Sequence, residues 1–99
     1  MAKGRPVKQR VIKEEPKIRQ FSPRGKVGRP DHMELKLEER EAIRLADHLG
    51  LNQAEAAGFM GVSQQTFSRV LKKARRSLAE ALIKGKIIRI KGGHFKLEP

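Results

Sequence analysis

The stretch QQTFSR at residues 64–69 holds side chains that are well suited to specific recognition. A glutamine can form two hydrogen bonds with the edge of adenine, an arginine can do the same with guanine, and serine or threonine can bond to several bases. The residues predicted to contact bases are Gln64, Gln65, Thr66, Ser68 and Arg69. Uncharged polar groups in so basic a chain are explained if they provide sequence readout. The alternative interpretation is that both glutamines belong to an ordinary hydrated surface.

Positive charge follows this stretch, and cations position a protein on nucleic acid without reading its sequence. The predicted contacts with DNA phosphates are Ser63, Lys72, Lys73, Arg75 and Arg76. Two Gly-Arg-Pro triplets, at 4–6 and 28–30, add Arg5 and Arg29 to this backbone set. An arginine on an extended Gly/Pro backbone can enter a narrow minor groove. A generic electrostatic contact is the simpler interpretation of both triplets.

The composition agrees with a polyanionic partner. The 99 residues include 23 Lys plus Arg against 11 Asp plus Glu, for a net charge of +12. Such a charge favours nucleic acid first and an anionic membrane surface second. The charge is +8 in residues 1–30, −4 in 31–60 and +8 in 61–99. The chain has no cysteine, which excludes disulfides and thiolate metal sites and agrees with a cytoplasmic location.

Other chemistry is poorly represented. The histidines, at positions 32, 48 and 94, lack the spacing of metal ligands, so no metal or cofactor is expected. Three glutamates at the start of the first predicted helix are interpreted as a solvated turn, not as an acid–base pair: Glu38, Glu39 and Glu41. The chain is therefore predicted not to be an enzyme. No apolar run approaches the roughly 18 residues of a membrane span, so no membrane partner is expected.

Three helices must position the recognition residues. Apolar spacing predicts a first helix over about 37–49, which Gly50 ends. Asn52, with Glu55 three residues later, predicts the cap of a second helix over about 53–60. Gly61 then breaks the chain, and Ser63 is the predicted cap of a third helix that runs to about residue 83. The predicted inward face of this third helix consists of Phe67, Val70, Leu71, Ala74, Leu78 and Leu82.

These elements predict a helix-turn-helix. Small residues suit the crossing of the second and third helices, a glycine suits the turn, and apolar side chains suit the wedge between them. The alternative is an αα-hairpin with no DNA role. Further along, Gly92–Gly93 predicts a β-hairpin over 86–97. The predicted cross-strand pairs are Ile90 with Phe95 and Ile88 with Leu97.

The N-terminal third has a different composition. Residues 1–30 contain four of the five prolines and few large apolar residues. Residues 1–33 are therefore predicted to form a basic, largely disordered arm. Deletion of residues 1–20 is accordingly expected to leave the fold intact. The predicted fold is mainly α, with a helix-turn-helix bundle and a C-terminal β-hairpin at 34–99.

The segment 39–93 also resembles a known family. The similar pieces are EAIRLAD at 41–47, MGVSQQTFSRVL at 60–71, AEAL at 79–82 and IKGG at 90–93. They resemble the small prokaryotic proteins grouped as uncharacterised protein family 0251, or domain of unknown function 134. The resemblance implies a DNA-binding role and a helix-turn-helix similar to region four of sigma factors.

The residues and the resemblance together predict a sequence-specific double-stranded DNA-binding protein that regulates transcription. Its recognition helix, about 64–76, is expected to lie in the major groove. Two alternatives stay open: a sigma-like module that docks on RNA polymerase, and a non-specific nucleic-acid binder. Because one helix-turn-helix reads only a short half-site, a homodimer is expected. The dimer interface is predicted at the hairpin or the end of the third helix. The predicted location of the protein is the cytoplasm, in association with the nucleoid.

Overall fold

The computed structural model describes residues 9–25 and 28–99, which form helices and short strands. The helices are α1 (Leu37–Ile43), continued by a π-helical turn (Arg44–His48), then α2 (Gln53–Met60) and α3 (Gln64–Lys84). The strands are β1 (Arg10–Ile12), β2 (Gln20–Phe21), β3 (His32–Leu35), β4 (Ile87–Ile90) and β5 (Phe95–Leu97). A mainly α fold with small sheets agrees with the expected class.

Capping residues define the ends of α2 and α3, as the sequence predicted. The Asn52 side chain accepts a hydrogen bond from the Glu55 N–H at 2.8 Å, and the Glu55 carboxylate accepts one from the Asn52 N–H at 3.1 Å. Gly61 follows α2 with a φ of 65°, a left-handed conformation that glycine adopts without strain. The Ser63 hydroxyl accepts the Thr66 N–H at 3.1 Å, so α3 begins where it was expected.

The C-terminal strands exist, but the prediction that they pair with each other is wrong. Strand β4 lies between β2 and β3, antiparallel to β2 and parallel to β3, whereas β5 pairs with β1 in parallel. Ile90 therefore lies opposite Leu35, and Phe95 lies opposite Arg10. The Gly92–Gly93 pair does not close a hairpin. The Gly92 carbonyl instead accepts the Leu37 N–H at 3.1 Å, which connects this loop to the start of α1.

The predicted disordered arm is wrong for the residues of β1 and β2 and for the start of β3. Strand β3 also crosses the predicted boundary between residues 33 and 34. Ile12 is only 2% exposed and packs in a cluster with Leu35, Leu37, Ala74 and Ile90. Burial of these apolar side chains compensates for the ordering of a short, proline-containing segment. A deletion of residues 1–20 would therefore remove part of the core.

Two apolar clusters stabilise the described part of the chain, and α3 contributes to both. The first cluster consists of Ala42, Leu45, Ala56, Ala57, Met60, Phe67 and Leu71. The second is the cluster around Ile12, to which α3 contributes Ala74. The predicted inward face of α3 is confirmed from Phe67 to Ala74. It is wrong for Leu82, which is 80% exposed, as is the adjacent Ile83.

The glutamates of α1 are buried, so the prediction of a solvated first turn is wrong. Their carboxylates accept main-chain hydrogen bonds: Lys13 N–H to Glu41 at 2.8 Å, Lys36 N–H to Glu39 at 2.9 Å and His94 N–H to Glu38 at 3.4 Å. Two further hydrogen bonds, at 2.8 and 2.9 Å, join Arg44 to Glu41 and raise the pKa of Arg44. These partners compensate for most of the loss of hydration, and one oxygen of Glu38 is buried without a hydrogen-bond partner among the described residues. Through them, α1 holds the chain on either side of the β1–β5 pair.

Candidate nucleic-acid interface

The outward face of α3 carries most of the residues that the sequence singled out. Phe67, Leu71 and Ala74 are buried on its opposite side. Gln65, Lys72 and Arg76 recur at spacings of seven and four residues, which places them on one face of the helix. All three are exposed, as are Gln64, Ser68, Arg69 and Lys73. The N-terminal end of this face is therefore uncharged and polar, and cations occupy its middle.

Two of the predicted contact residues are engaged in the cap of α3. The Ser63 hydroxyl accepts the Thr66 N–H and also donates to the Thr66 hydroxyl at 3.0 Å. Thr66 is half-buried, whereas Ser63 is exposed. The two hydroxyls therefore have a structural role at the start of the helix. Their predicted roles, base reading by Thr66 and phosphate contact by Ser63, stay predictions.

The two edges of the outward face differ in charge. On one edge, Arg75 forms hydrogen bonds of 2.7 and 3.1 Å with Asp47 in the π-helical turn. This pairing holds the pKa of Asp47 below its usual value and raises the pKa of Arg75. The Asp47 carboxylate thus compensates the positive charge of Arg75, which reduces the attraction of Arg75 for a phosphate. On the other edge, Lys73 lies 3.9 Å from the buried Glu39 and remains largely exposed.

The remaining predicted arginines lie outside α3. Arg29 is exposed in the segment that precedes β3. Arg5 falls outside the described residues.

A cleft beside α3 contains cations that the sequence analysis missed. It has a volume of about 190 Å³ and is lined by Arg10, Lys36, Glu38, Glu39, Arg69, Val70 and Lys73. Arg10 begins β1, and Lys36 immediately precedes α1. Long-range pairing of β1 with β5 brings Arg10 here, and no local sequence pattern reports such pairing. Lys36 offered one signal, because a lysine at the N-cap position is unusual.

Some other kinds of site find no support in the described residues. Within 9–25 and 28–99, no group of three or more His, Cys, Asp and Glu side chains is arranged to hold a metal ion. In the same part of the chain, no helix is long and apolar enough to cross a membrane.

The described residues define a small, mainly α protein with a long helix, whose outward face is exposed and basic, and with two short sheets. The chain belongs to the family described as "Protein of unknown function DUF134", which it matches over residues 1–98. The family resemblance noted in the sequence is thereby confirmed.

Several curated relatives carry the name UPF0251 protein. One from Dehalococcoides mccartyi is 48% identical over 95 residues, which cover 95% of this chain and 81% of that protein. One from Methanococcus maripaludis is 46% identical over 96 residues, which cover 96% and 74%. One from Prosthecochloris aestuarii is 50% identical over 91 residues, which cover 91% and 59%. No solved structure matches the chain.

Proposed function

We propose that this protein binds double-stranded DNA in a sequence-specific manner and regulates transcription. In this proposal α2 and α3 form a helix-turn-helix, and residues 64–76 of α3 lie in the major groove. The observation that carries the proposal is the outward face of α3, where exposed Gln64, Gln65 and Ser68 precede a group of cations. Recognition helices direct their N-terminal residues at base edges, and phosphates surround the rest. The proposed location is the cytoplasm, in association with the nucleoid.

The packing of α2 against α3 supports this arrangement. Ala56 and Ala57 are buried, and small side chains allow two helices to approach closely. Met60 and Phe67, both nearly inaccessible to solvent, belong to the cluster between the helices. The left-handed turn at Gly61 leaves two residues before α3 begins. A short turn of this kind is typical of a helix-turn-helix.

The test is the selection of bound sequences from a random duplex pool at physiological salt. A defined consensus would support sequence-specific binding. Enrichment of all duplexes without a consensus would favour the non-specific alternative. Binding to RNA polymerase without binding to any duplex would favour the sigma-like docking module.

Paired variants separate base reading from electrostatic attraction. Gln65→Ala is expected to reduce discrimination between the selected site and a scrambled duplex by about 1–3 kcal/mol. Lys72→Ala is the matched variant on the same face, and it is expected to weaken all duplexes equally and to reduce the salt slope by about one unit. The assignment is wrong if both variants lose non-specific affinity equally and retain the preferred site.

A homodimer is part of this proposal, and an apolar groove supports it. The groove has a volume of about 650 Å³, and its apolar lining includes Ile18, Phe21, Ile43, Leu78 and Ile88. The exposed Leu82 lies one helical turn beyond Leu78, so one continuous surface offers both a groove and protruding side chains. A two-fold dimer needs such self-complementary surfaces. The groove also includes two acidic and two basic residues, which limits repulsion between two strongly basic copies: Glu14, Glu15, Lys17 and Arg40.

The dimer is tested by light scattering at micromolar concentration, with and without duplex. The wild-type chain is expected to have the mass of two copies. The double variant Leu82→Lys, Ile83→Lys is expected to be monomeric. Phe59→Lys, at a half-exposed apolar residue of α2, is the control and should remain dimeric. A wild-type monomer under both conditions would exclude the dimer.

A further inference from the structure

The cleft beside α3 concentrates positive charge from three separate parts of the chain. Arg10 comes from β1, Lys36 precedes α1, and Arg69 and Lys73 come from α3. These four cations surround two buried carboxylates, so the cleft carries an excess of two positive charges. Concentration of one sign of charge in a concave site raises the local potential and attracts counter-ions.

The carboxylates do not satisfy these cations. Glu39 accepts the Lys36 main-chain N–H at 2.9 Å, and the Lys73 ammonium is 3.9 Å away. Glu38 accepts the His94 N–H, and its nearest contact with the Arg10 guanidinium is also 3.9 Å. Both ion pairs are thus at the outer limit of direct contact. The Nε of Arg10 has no hydrogen-bond partner among the described residues. One oxygen of Glu38 is likewise buried without a partner, so what the cleft offers a phosphate is its excess of positive charge and the long distances of its two ion pairs.

The identity of residue 36 is a second, independent observation. Lys36 occupies the N-cap position of α1, and its side chain makes no capping hydrogen bond. Ser, Thr, Asp and Asn are preferred there because their oxygen atoms accept a helix N–H, which an ammonium group cannot do. A cation is also unfavourable near the positive end of a helix. Lys36 is thus a poor residue for folding, and a role in binding an anion explains its presence.

We infer that this cleft binds backbone phosphates of the duplex that α3 contacts, with Arg10 and Lys36 as additional phosphate-binding residues. This inference rests on the proposed function and names the side of α3 on which the flanking DNA strand lies. The charge difference between the two edges of α3 carries it. On the Lys73 edge the cleft adds two cations, whereas on the opposite edge Asp47 neutralises Arg75. The phosphates of the flanking DNA strand consequently lie along the Lys73 edge of α3.

The decisive variant is Lys36→Ser in the full chain, because it moves stability and binding in opposite directions. Serine supplies the missing cap, so the melting temperature should stay equal or rise. Loss of the cation should weaken binding to every duplex and make the slope of log K against log salt shallower by about 0.9. The preferred DNA sequence should not change, because phosphate contacts carry no base information.

Two further variants complete the experiment. Arg10→Gln should give the same loss of slope, with circular dichroism used to verify that it folds. Lys84→Gln is the matched control, because Lys84 lies fifteen residues along α3 from Arg69, about 22 Å at 1.5 Å per residue. Its salt slope should equal that of the wild type.

The outcomes distinguish this inference from the proposed function. If the wild-type chain binds duplex and Lys36→Ser keeps its full salt slope, the cleft is not a phosphate site, although DNA binding stands. If the wild-type chain binds no duplex at any salt concentration, the proposed function fails and this inference fails with it. A loss of salt slope in Lys84→Gln equal to that in Lys36→Ser would also overturn the assignment, since any surface cation would then contribute to the salt slope.

Discussion

Replacement of Ile12 by alanine tests the most unexpected feature of the fold, the packing of the N-terminal segment into the core. Ile12 is 2% exposed in the cluster that also contains Leu35, Leu37 and Ile90. Alanine removes three carbon atoms, worth about 2.4 kcal/mol at about 0.8 kcal/mol per buried methylene. The cavity left behind adds to this, so the expected loss is about 3 kcal/mol within the usual range of roughly 2–5. That is a large share of a typical stability of about 5–15 kcal/mol.

The same chain segment contains a matched control. Ile18 is 61% exposed and lies between β1 and β2, so Ile18→Ala removes the same atoms from a largely hydrated position. Its effect on unfolding of the monomer should stay within about 0.5 kcal/mol, as for other surface substitutions. Both variants should be measured at two protein concentrations, because Ile18 also lines the groove proposed as a dimer interface.

The assay is urea unfolding followed by circular dichroism of the helices. With a slope of about 1.5 kcal/mol per molar urea, a loss of 3 kcal/mol lowers the midpoint by about 2 M. The helices report the effect although Ile12 lies in a strand, because Ala74 of α3 belongs to the same cluster. Equal midpoints for Ile12→Ala and Ile18→Ala would refute the packing of β1 in the core and would favour the prediction of a disordered arm.

Three other perturbations follow from individual contacts. Asp47→Asn should free Arg75 for phosphates and steepen the salt slope of DNA binding by about one unit, with only a small loss of stability because the pair is exposed. Arg75 lowers the pKa of Asp47 in the folded protein. The contribution of this pair to stability is therefore complete above the pKa of Asp47 in the unfolded chain and is lost as pH falls through its lower folded pKa. An acid titration should accordingly bring the unfolding free energies of variant and wild type together. Gly93→Ala should destabilise the fold by more than about 1 kcal/mol in thermal unfolding, because its φ is 106° and a methyl group would collide with the Glu38 carboxylate. Deletion of residues 1–8 removes Lys3, Arg5 and Lys8 but retains β1, which begins at Arg10, and a shallower salt slope of DNA binding would show that the deleted cations contact phosphates.

The helices were predictable because their signals are local. Asn52 and Glu55 form a capping box within four residues, and Ser63 caps α3 with its own hydroxyl. Gly61 and Gly85 end their helices in the left-handed conformation, and Gly61 was predicted to break the chain after the second helix. Each of these contacts joins residues a few positions apart, so the amino-acid pattern alone contains the necessary information.

The strands were not predictable in the same way, because their partners are distant. β1 has only three residues, too few for its alternation to predict a strand, and it pairs with residues 95–97, which were predicted to pair with β4 instead. The local glycine signal at 92–93 favoured a hairpin, which long-range packing overrode. Gly93 instead provides the close approach that the buried Glu38 requires. The glutamates of α1 were placed in solvent because the Lys13 and His94 N–H groups that they accept come from distant segments, whose packing against α1 was not predicted.

The same long-range pairing determines which part of the candidate interface was missed. Arg10 is an isolated cation in the sequence, indistinguishable from its neighbours Lys8 and Lys13. Only the register of β1 with β5 and the burial of Ile12 bring its guanidinium to the cleft beside α3. Residues that hold β1 in the core therefore also hold a candidate phosphate contact in place. A substitution at Ile12 should weaken DNA binding through this displacement as well as through unfolding, whereas Lys36→Ser should weaken binding without loss of stability. Comparison of the two separates the architecture of the site from its charge.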